Sequence, residues 1–430
     1  MPSANVRKRV LLVAYHFPPL QGSTGFARSL AFAKYLKDWN WDVTVLTVEA
    51  SVYPEIREQN YALIPDNIEC VRSMAFDAQK HLSIFGKYPL FLATPDRLQS
   101  WIVSGVLSAL RVIRKNRPDA ILTTYPIASA HCIGFFLHKI FRIPWIADFR
   151  DPMAQEDYPP EPRIHRAFER IERRIFRNAA RVVVTSPGTA ALYSTRFPDY
   201  PQQNIVTISN GFDPESFAGI TIRSGASAAP EARRPLKLLH SGLLYPSERD
   251  PTHLFAAIAE LLSEKRLSNN QVSFVFRASG NDTDYQKRVR RLGIDSVVHF
   301  LSAVPYVEAI AEIASADGLL LLQASNCNQQ IPAKLYEYLY AGVPILALTD
   351  AIGDTGQLLQ QLCVKSVADL ADKHQIKRAL LAFVEDILAA RSYVVPIEKV
   401  MQYSRRELTG GLAKLLNSIA SKGTKRSDGD

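Results

Sequence analysis

Short apolar runs rich in β-branched residues alternate along the chain with stretches whose apolar residues recur at helical spacing. Helical spacing is clear in Ser104–Val112 and in Ala128–Ile140. Alternating strands and helices predict an α/β fold whose parallel sheet is covered by helices on both faces. The runs of this first series are Val10–Tyr15, Asp42–Val48, Ala120–Thr124, Pro144–Phe149, Arg181–Thr185 and Ile205–Ser209.

The alternation pauses and then starts again. The pause begins at the turn pair Asn210-Gly211 and continues into a stretch rich in Ser, Ala, Pro and Arg, a composition typical of a linker. The second series consists of Leu236–Ser241, Val272–Ala278, Val297–Phe300, Leu319–Gln323 and Pro344–Thr349. A second βα domain is therefore expected after the linker.

The pattern predicts two domains and three smaller parts. A helical stretch follows the second series, and we expect it to return toward the N-terminal domain before a disordered tail. The predicted parts are an N-terminal domain over 1–215, a linker over 216–235, a C-terminal domain over 236–400, a helix over 401–420 and a tail over 421–430.

The composition is that of an ordinary folded protein. The 430 residues are 47% hydrophobic and 22% charged, so neither general disorder nor a collagen-like repeat fits. Lys and Arg number 51 against 42 Asp and Glu, and the net charge of +9 favours phosphate-bearing, lipid or nucleic-acid partners. The chain has no zinc-finger spacing and no aromatic RNA-binding string, so we expect no nucleic-acid partner.

The cysteines and the apolar runs limit the compartment. The four cysteines are too far apart along the chain for a zinc site or a disulfide framework, which favours the reducing cytoplasm. Residues 1–9 lead directly into the first strand, so we expect no signal peptide. No apolar run approaches the roughly 18 residues that span a bilayer. Membrane contact, if present, is therefore expected at the protein surface.

The first candidate site follows the first strand, in the string HFPPLQGSTGFAR. Gly22 and Gly25 flank a Ser-Thr pair just before a predicted helix. Glycine allows close approach of a ligand to the backbone, and amides at a helix N-terminus bind anions or sugar oxygens. The alternative is an ordinary strand-to-helix turn in which Thr24 caps the helix.

The second candidate site lies at the end of the strand Pro144–Phe149. Asp148, Arg150 and Asp151 are charged side chains that could orient sugar hydroxyls or accept a proton. The alternative is a structural Asp–Arg pair that fixes the loop. His131 lies near the start of a predicted helix, where it is either a functional group or a satisfied core residue.

Two strings in the second domain suit a diphosphate. In HSGLLYPSERDP, Gly242 allows close backbone approach, and Arg249 precedes a predicted helix start. In IPAKLYEYLYAG, a helix opening at Pro332 would present the amides of Ala333 and Lys334 to a diphosphate. Glu337 lies one turn further on the same side, where a carboxylate can accept hydrogen bonds from the two hydroxyls of a ribose. The alternatives are a solvated arginine and an exposed glutamate.

Two further segments have charged patterns. Asp282-Thr283-Asp284 resembles a metal-binding Asp-x-Asp, but acidic residues also favour helix starts, and we expect the segment to cap a helix and hold no metal. Residues 161–181 contain seven Arg and three Glu, with apolar residues at helical spacing. A basic helix of this kind either contacts anionic lipid or forms an ordinary solvated face.

The strings occur in the order found in GT-B glycosyltransferases. They are HFPP, GSTGFAR, ADFRDP, VVVTSPG, ISNGFD, HSGLLYPSERDP and IPAKLYEYLYAGVPILAL, and together they span residues 10–349. The chain resembles family 4 of these enzymes, in particular the branch that assembles bacterial polysaccharide and O-antigen.

The resemblance implies both a fold and a reaction. The fold would be two Rossmann-like parallel-sheet domains that face a cleft. The reaction would move a hexosyl group from a nucleoside diphosphate sugar to a polysaccharide or polyprenyl-linked oligosaccharide precursor, with retention and without a metal or other cofactor. The enzyme would work in the cytoplasm, in peripheral contact with anionic membrane. The alternatives are a nucleotide-sugar epimerase on the same fold and a non-catalytic binding protein.

The resemblance also implies roles for residues. Gly22 and Gly25 would face the sugar and acceptor, and Arg249, assisted by Lys334, would neutralise the donor diphosphate. Glu337 would bind the ribose.

The chain departs from the family pattern at two positions. Gln329 stands where the family usually has the first Glu of a Glu-x7-Glu pair, and a neutral amide cannot offer a negative charge to a developing cation. Arg150 stands where many members have His, so that His131, Asp148 or Asp151 would share the task of orienting the sugar. The residues implied beside the nucleotide base and ribose are Gly280, Val304 and Pro305.

Overall fold

The computed structural model describes residues 7–21, 24–83, 85, 87–156, 158–222, 234–280 and 282–423. The chain divides into two compact units, the first formed by Met1–Asn210 with Arg405–Asp430 and the second by Gly211–Ser404. Part of the predicted linker, residues 223–233, and part of the predicted tail, residues 424–430, lie outside the described residues.

The first unit contains a parallel sheet whose described strands number seven. The strand order is β3-β2-β1-β4-β5-β6-β7, with neighbours paired in parallel. The strands are β1 Lys8–Ala14, β2 Trp41–Val48, β3 Glu69–Ser73, β4 Ala120–Thr124, β5 Trp145–Arg150, β6 Arg181–Val184 and β7 Ile205–Thr207.

Helices cover both faces of this sheet because its strands are apolar on both sides. Leu11 and Val13 of β1 belong to one core cluster, and their neighbours Val10 and Leu12 belong to another, as the alternation of side chains along a strand requires. The helices are α1 Thr24–Tyr35, α2 Ala78–His81, α3 Ser100–Lys115, α4 Ala128–Phe141, α5 Pro162–Asn178, α6 Pro187–Arg196 and, from the C-terminal end of the chain, α14 Arg405–Gly423.

The two core clusters identify which helices share a face. One contains residues of α3, α4 and α5, and the other contains residues of α1 and α14. Gly410 of α14 lies against the indole of Trp39, which follows α1, and a Cβ at this glycine would lie 2.6 Å from the ring. The C-terminal helix is thus an integral part of the first unit.

The second unit repeats the architecture with six described strands in the order β10-β9-β8-β11-β12-β13. The strands are β8 Leu236–Ser241, β9 Val272–Arg277, β10 Val298–Leu301, β11 Gly318–Leu322, β12 Ile345–Leu348 and β13 Val367–Ala368. The helices are α7 Thr252–Ser263, α8 Asp282–Arg291, α9 Tyr306–Ser315, α10 Ala333–Ala341, α11 Asp354–Gln361, α12 Lys373–Leu388 and α13 Ile397–Met401.

The predicted fold class is confirmed, with differences at the edges of elements. Edge strands β3 and β13 were not predicted. Helix α7 begins at Thr252, with Pro251 as its N-cap and not its first residue. Helix α8 begins at Asp282, three residues before the predicted start near Tyr285, because the two acidic residues occupy its first turn. Pro332 likewise is the N-cap of α10, which starts at Ala333, one residue after the predicted opening.

Candidate functional site

Charged and polar groups of the second unit gather where β8 ends and α10 begins. Gly242 follows the last residue of β8 and has φ 111°, a conformation that favours glycine. A Cβ at Gly242 would lie 2.9 Å from Nζ of Lys334, in the first turn of α10. The carboxyl end of a parallel strand and the N-terminus of a helix therefore meet at one place, an arrangement typical of phosphate sites.

Lys334 reaches a second partner on β8. Its Nζ lies 3.3 Å from Nε2 of His240, which is fully buried. Burial and the nearby charge of Arg249 lower the pKa of Lys334 to about 7, against the opposing effect of Glu337. A negatively charged ligand should raise the pKa of such an amine substantially, because the ligand favours the charged form of the amine.

Arg249 lies in the loop between β8 and α7. Its guanidinium stacks over the ring of Tyr245 at 5.2 Å, donates to the carbonyl of Leu243 at 3.3 Å and lies 3.8 Å from Glu248. These contacts orient the side chain, which is 22% exposed. Because the charge of Arg249 lowers the pKa of Lys334, the two cations lie close enough to interact electrostatically.

Glu337 is buried one helical turn beyond Ala333, with 6% of its surface exposed. The hydroxyl of Tyr306 donates a 2.7 Å hydrogen bond to its Oε1. Tyr306 is the first residue of α9, directly after the predicted pair Val304-Pro305. The alternative of an exposed glutamate on a solvated face therefore does not apply, because the carboxylate is oriented by a second element of the unit.

The remaining predicted donor-site residues differ in exposure. Gln329 and Pro305 are exposed, and Ala333 and Val304 are partly buried. Gly280 has φ 84°, and a Cβ there would lie 2.8 Å from Leu243 Cδ2, so backbone conformation and space both favour glycine.

In the first unit, Arg150 joins the end of β5 to the start of α1. It has φ 62°, at a register irregularity between β5 and β6, and its Nη1 donates to the carbonyl of Gly25 at 2.6 Å. The ring of His16, which follows β1, lies 3.5 Å from where a Cβ of Gly25 would be. Burial and the charge of Arg150 lower the pKa of His16 to about 4. Gly22 lies outside the described residues.

Asp148 forms a buried ion pair with a residue that the sequence did not single out. Its carboxylate accepts from Nε and Nη2 of Arg28 at 3.0 and 2.9 Å, and from the hydroxyl of Thr124 at 3.1 Å. Arg28 also donates to the carbonyl of Ser209 at 2.7 Å. The structural alternative thus describes Asp148 in this structure, although its partner is Arg28 of α1 and not Arg150.

His131 belongs to the core. It is fully buried in α4, its Nδ1 lies 2.7 Å from the hydroxyl of Thr123, and its ring packs 5.1 Å from that of Phe149. Burial lowers its pKa to about 3, so the imidazole is neutral at pH 7. Asp151 is partly exposed beside Arg150 and raises the pKa of that guanidinium, against the larger lowering by burial.

The described residues contain neither a metal-binding cluster nor a helix that could span a membrane. In the described part of the chain, no group of three or more His, Cys, Asp or Glu could hold a metal ion. Asp282 and Asp284 lie in the first turn of α8 and so are part of the helix that they were expected to cap, and Asp282 accepts a hydrogen bond from the hydroxyl of Ser279. No helix among the described residues is long and apolar enough to cross a bilayer.

Sequence reasoning missed several residues that shape these sites. His16, Arg28 and His240 lie inside candidate strings without having been assigned a role, and Tyr306 ends the segment Val304-Pro305-Tyr306 that the resemblance implies beside the base and ribose, without its bond to Glu337 having been foreseen. Adjacency to a strand end was the available signal for His16 and His240. Arg28 and Tyr306 act through partners 120 and 31 residues away, which no local pattern reveals.

Comparisons with known proteins agree with this architecture. Residues 24–211 match the family model described as glycosyl transferase 4-like domain. A D-inositol 3-phosphate glycosyltransferase of Corynebacterium aurimucosum is 25% identical over 56% of this chain and 60% of its own length. The matched region thus spans less than two thirds of that relative.

Solved structures extend the likeness over nearly the whole chain. The Anabaena protein HepE, determined with UDP and glucose, has a TM-score of 0.63 at 16% identity, with 96% of this chain and 100% of that chain covered. A UDP-N-acetylglucosamine 2-epimerase has a TM-score of 0.55 at 12% identity, with 99% and 98% covered. The fold is that of the GT-B glycosyltransferases. Residues 24–211 thus resemble a glycosyl transferase 4-like domain, and the curated relative is itself a glycosyltransferase.

Proposed function

We propose that this chain transfers a hexosyl group from a nucleoside diphosphate sugar to a glycan acceptor. The observation that carries the proposal is the placement of Lys334 in the first turn of α10, within electrostatic reach of Arg249 in the loop after β8, with the oriented carboxylate of Glu337 about one turn further along α10. Two cations and a helix N-terminus suit a diphosphate, and a buried carboxylate suits the adjacent ribose.

The same groups would promote departure of the diphosphate. When the bond between the anomeric carbon and the diphosphate oxygen breaks, negative charge develops on that oxygen. Lys334, Arg249 and the first amides of α10 would stabilise this charge without needing to rearrange. The residues of this chain therefore supply the stabilisation that a divalent metal gives in other transferases.

We further propose retention of the anomeric configuration. The acceptor hydroxyl would attack from the side on which the diphosphate leaves, and its proton would pass to the departing phosphate oxygen. Gln329, being neutral, would hydrogen-bond sugar hydroxyls and would not stabilise positive charge on the ring. The acceptor would be a polysaccharide or polyprenyl-linked precursor.

A basic helix supports contact with an anionic membrane. Arg163, Arg166, Arg170 and Arg177 are exposed along α5, and none of them pairs with a described carboxylate. Four such charges along a helix about 25 Å long would interact with acidic lipid headgroups.

The neighbouring helices add exposed apolar side chains beside the basic helix α5. Helix α4 packs against both α3 and α5. Large apolar side chains exposed on α3 and α4 are Val103, Leu107, Phe136 and Ile140. Exposed apolar side chains next to cations favour the membrane interface. None of the four cysteines, all of them among the described residues, is in a disulfide, which is in keeping with a reducing compartment and the cytoplasmic face.

The fold alone does not separate transfer from epimerisation, because an epimerase shares it. The test is to mix the full chain with UDP-glucose, UDP-N-acetylglucosamine, GDP-mannose, dTDP-glucose and ADP-glucose and to measure thermal stabilisation, followed by release of nucleoside diphosphate with a membrane extract as acceptor source. We expect one donor to stabilise the fold and to be consumed only with acceptor. Interconversion of the sugar nucleotide without acceptor would instead establish an epimerase.

A further inference from the structure

The hydrogen bond between His240 and Leu320 favours one tautomer of the imidazole, in a site where the backbone of Gly242 also interacts with the ring. Its Nδ1 lies 3.0 Å from the carbonyl oxygen of Leu320 on the neighbouring strand β11. A carbonyl oxygen only accepts hydrogen bonds, so the neutral ring carries its proton on Nδ1 and presents a lone pair at Nε2. His240 is fully buried on β8, so its ring stays in this orientation.

The lone pair of His240 points at the amine of Lys334. Nε2 and Nζ are 3.3 Å apart, and the amine lies at the same time over Gly242, where a Cβ would be 2.9 Å from it. An ammonium has three donors. One donor directed at His240 leaves two that can turn toward a ligand.

The charges around the pair keep the ring neutral. Burial and the cations Lys334 and Arg249 hold the pKa of His240 well below its usual range. The groups that face Lys334 are His240 on β8, Arg249 in the loop after β8 and Glu337 on its own helix. His240 is the neutral acceptor among them. A second cation at its position would repel the lysine.

We propose that His240 is a positioning residue whose Nε2 lone pair holds the Lys334 amine beside Gly242, in place for the donor diphosphate. The inference rests on the proposed function, since it assigns the diphosphate to Lys334. Without the hydrogen-bond acceptor Nε2 of His240, the long side chain of Lys334 would sample other rotamers. Ordering it again on binding would weaken the affinity for the sugar nucleotide.

Two substitutions distinguish the role of Nδ1 from that of Nε2. The amide nitrogen of His240→Asn can occupy the place of Nδ1 and still donate to Leu320, but this variant lacks an acceptor at the place of Nε2. His240→Gln extends an amide oxygen to the place of Nε2. His240→Phe, beside the ring of Phe276 at 5.9 Å, is a second variant without the acceptor.

The experiment is a double-mutant cycle read by calorimetric titration of the full chain with the sugar nucleotide that binds best. We expect His240→Asn to weaken binding about tenfold and His240→Gln to restore most of it. In a Lys334→Met background, His240→Asn should have no further effect, because the residue that it positions is gone.

The pH dependence gives a second readout. The pH at which affinity falls reports the ionisation of Lys334, so it should differ between wild type and His240→Asn. Equal losses in the wild-type and Lys334→Met backgrounds, or an unchanged pH midpoint, would overturn the role of His240. Failure of wild type to bind any of the five sugar nucleotides would contradict the proposed function itself. His240→Phe serves the same cycle should His240→Asn not fold.

Discussion

The hydroxyl of Tyr306 donates a 2.7 Å hydrogen bond to Oε1 of Glu337, so the start of α9 orients a buried carboxylate on α10. The two residues are 31 positions apart in the chain. A carboxylate held in this way presents its oxygens in a defined direction, which is what recognition of two adjacent hydroxyls requires.

Tyr306→Phe should therefore lower donor affinity by about threefold to tenfold, which corresponds to the net worth of one typical hydrogen bond, about 0.5–1.5 kcal/mol. Glu337→Gln should lower it further, because the charged acceptor itself is lost. Calorimetric titration with the selected sugar nucleotide measures both effects. Wild-type affinity in Tyr306→Phe, with an unchanged melting temperature, would show that the hydrogen bond does not serve the site.

Lys334 should make donor binding dependent on pH. Burial lowers its pKa to about 7, so the free amine is charged below pH 7 and neutral above it. A diphosphate favours the charged form, and affinity should be constant at low pH and decline by up to about tenfold per pH unit at high pH. The intact sugar nucleotide is the suitable ligand, because its diphosphate is not titrated in this range.

Lys334→Arg is the matched variant for this prediction. The guanidinium stays charged throughout, so the decline at high pH should disappear even if overall affinity changes. Lys365→Met, at an exposed position of the same unit, should keep the wild-type profile. A wild-type affinity that is flat from pH 6 to pH 9 would contradict the assignment of Lys334 to the diphosphate.

Asp148 should matter for stability. Asp148→Asn leaves the buried guanidinium of Arg28 without its counter-charge, and loss of one partner of a buried pair costs about 3–5 kcal/mol. The double variant Arg28→Met/Asp148→Asn should recover part of this loss, because no uncompensated charge remains. Urea denaturation of the single and double variants measures the coupling. Unchanged stability with strongly reduced turnover would instead indicate a catalytic role.

The arginines of α5 should determine membrane affinity. Arg166→Gln/Arg170→Gln/Arg177→Gln removes three charges, and each cation near an acidic surface contributes about 1 kcal/mol. Sedimentation with vesicles containing phosphatidylglycerol should show a loss of binding of at least tenfold. The control is Arg266→Gln/Arg290→Gln/Lys365→Gln, which removes three exposed charges of the second unit. Equal losses of vesicle binding in the two variants would show that the total charge determines binding and that α5 is not a specific membrane-binding face.

The buried strands were predictable because their apolar runs are short, β-branched and separated by helical patterns. β11, for example, is GLLLL with all five residues buried. The edge strand β3 escaped prediction because ECVRS is mostly exposed or half-buried and carries two charges. β13 is only two residues long and has no pattern to detect.

The site was predictable where its residues share a local string. Gly242 with Arg249 and Lys334 with Glu337 each lie within one strand-to-helix segment, so spacing and residue type were enough to select them. The pairing of Asp148 with Arg28 was not predictable, because 120 residues separate them and helix α1 meets the end of strand β5 only in the folded unit. The burial of His131 likewise depends on how α4 packs against β4 and β5, which spacing alone does not decide.

Titration of the full chain with its best sugar nucleotide at pH 7, for wild type, Arg249→Met, Lys334→Met and the control Lys365→Met, tests the central claim most directly. We predict that wild type and the control bind equally and that each of the other two variants binds at least about tenfold more weakly. Wild-type affinity in both Arg249→Met and Lys334→Met would contradict the claim that the start of α10 holds the donor diphosphate.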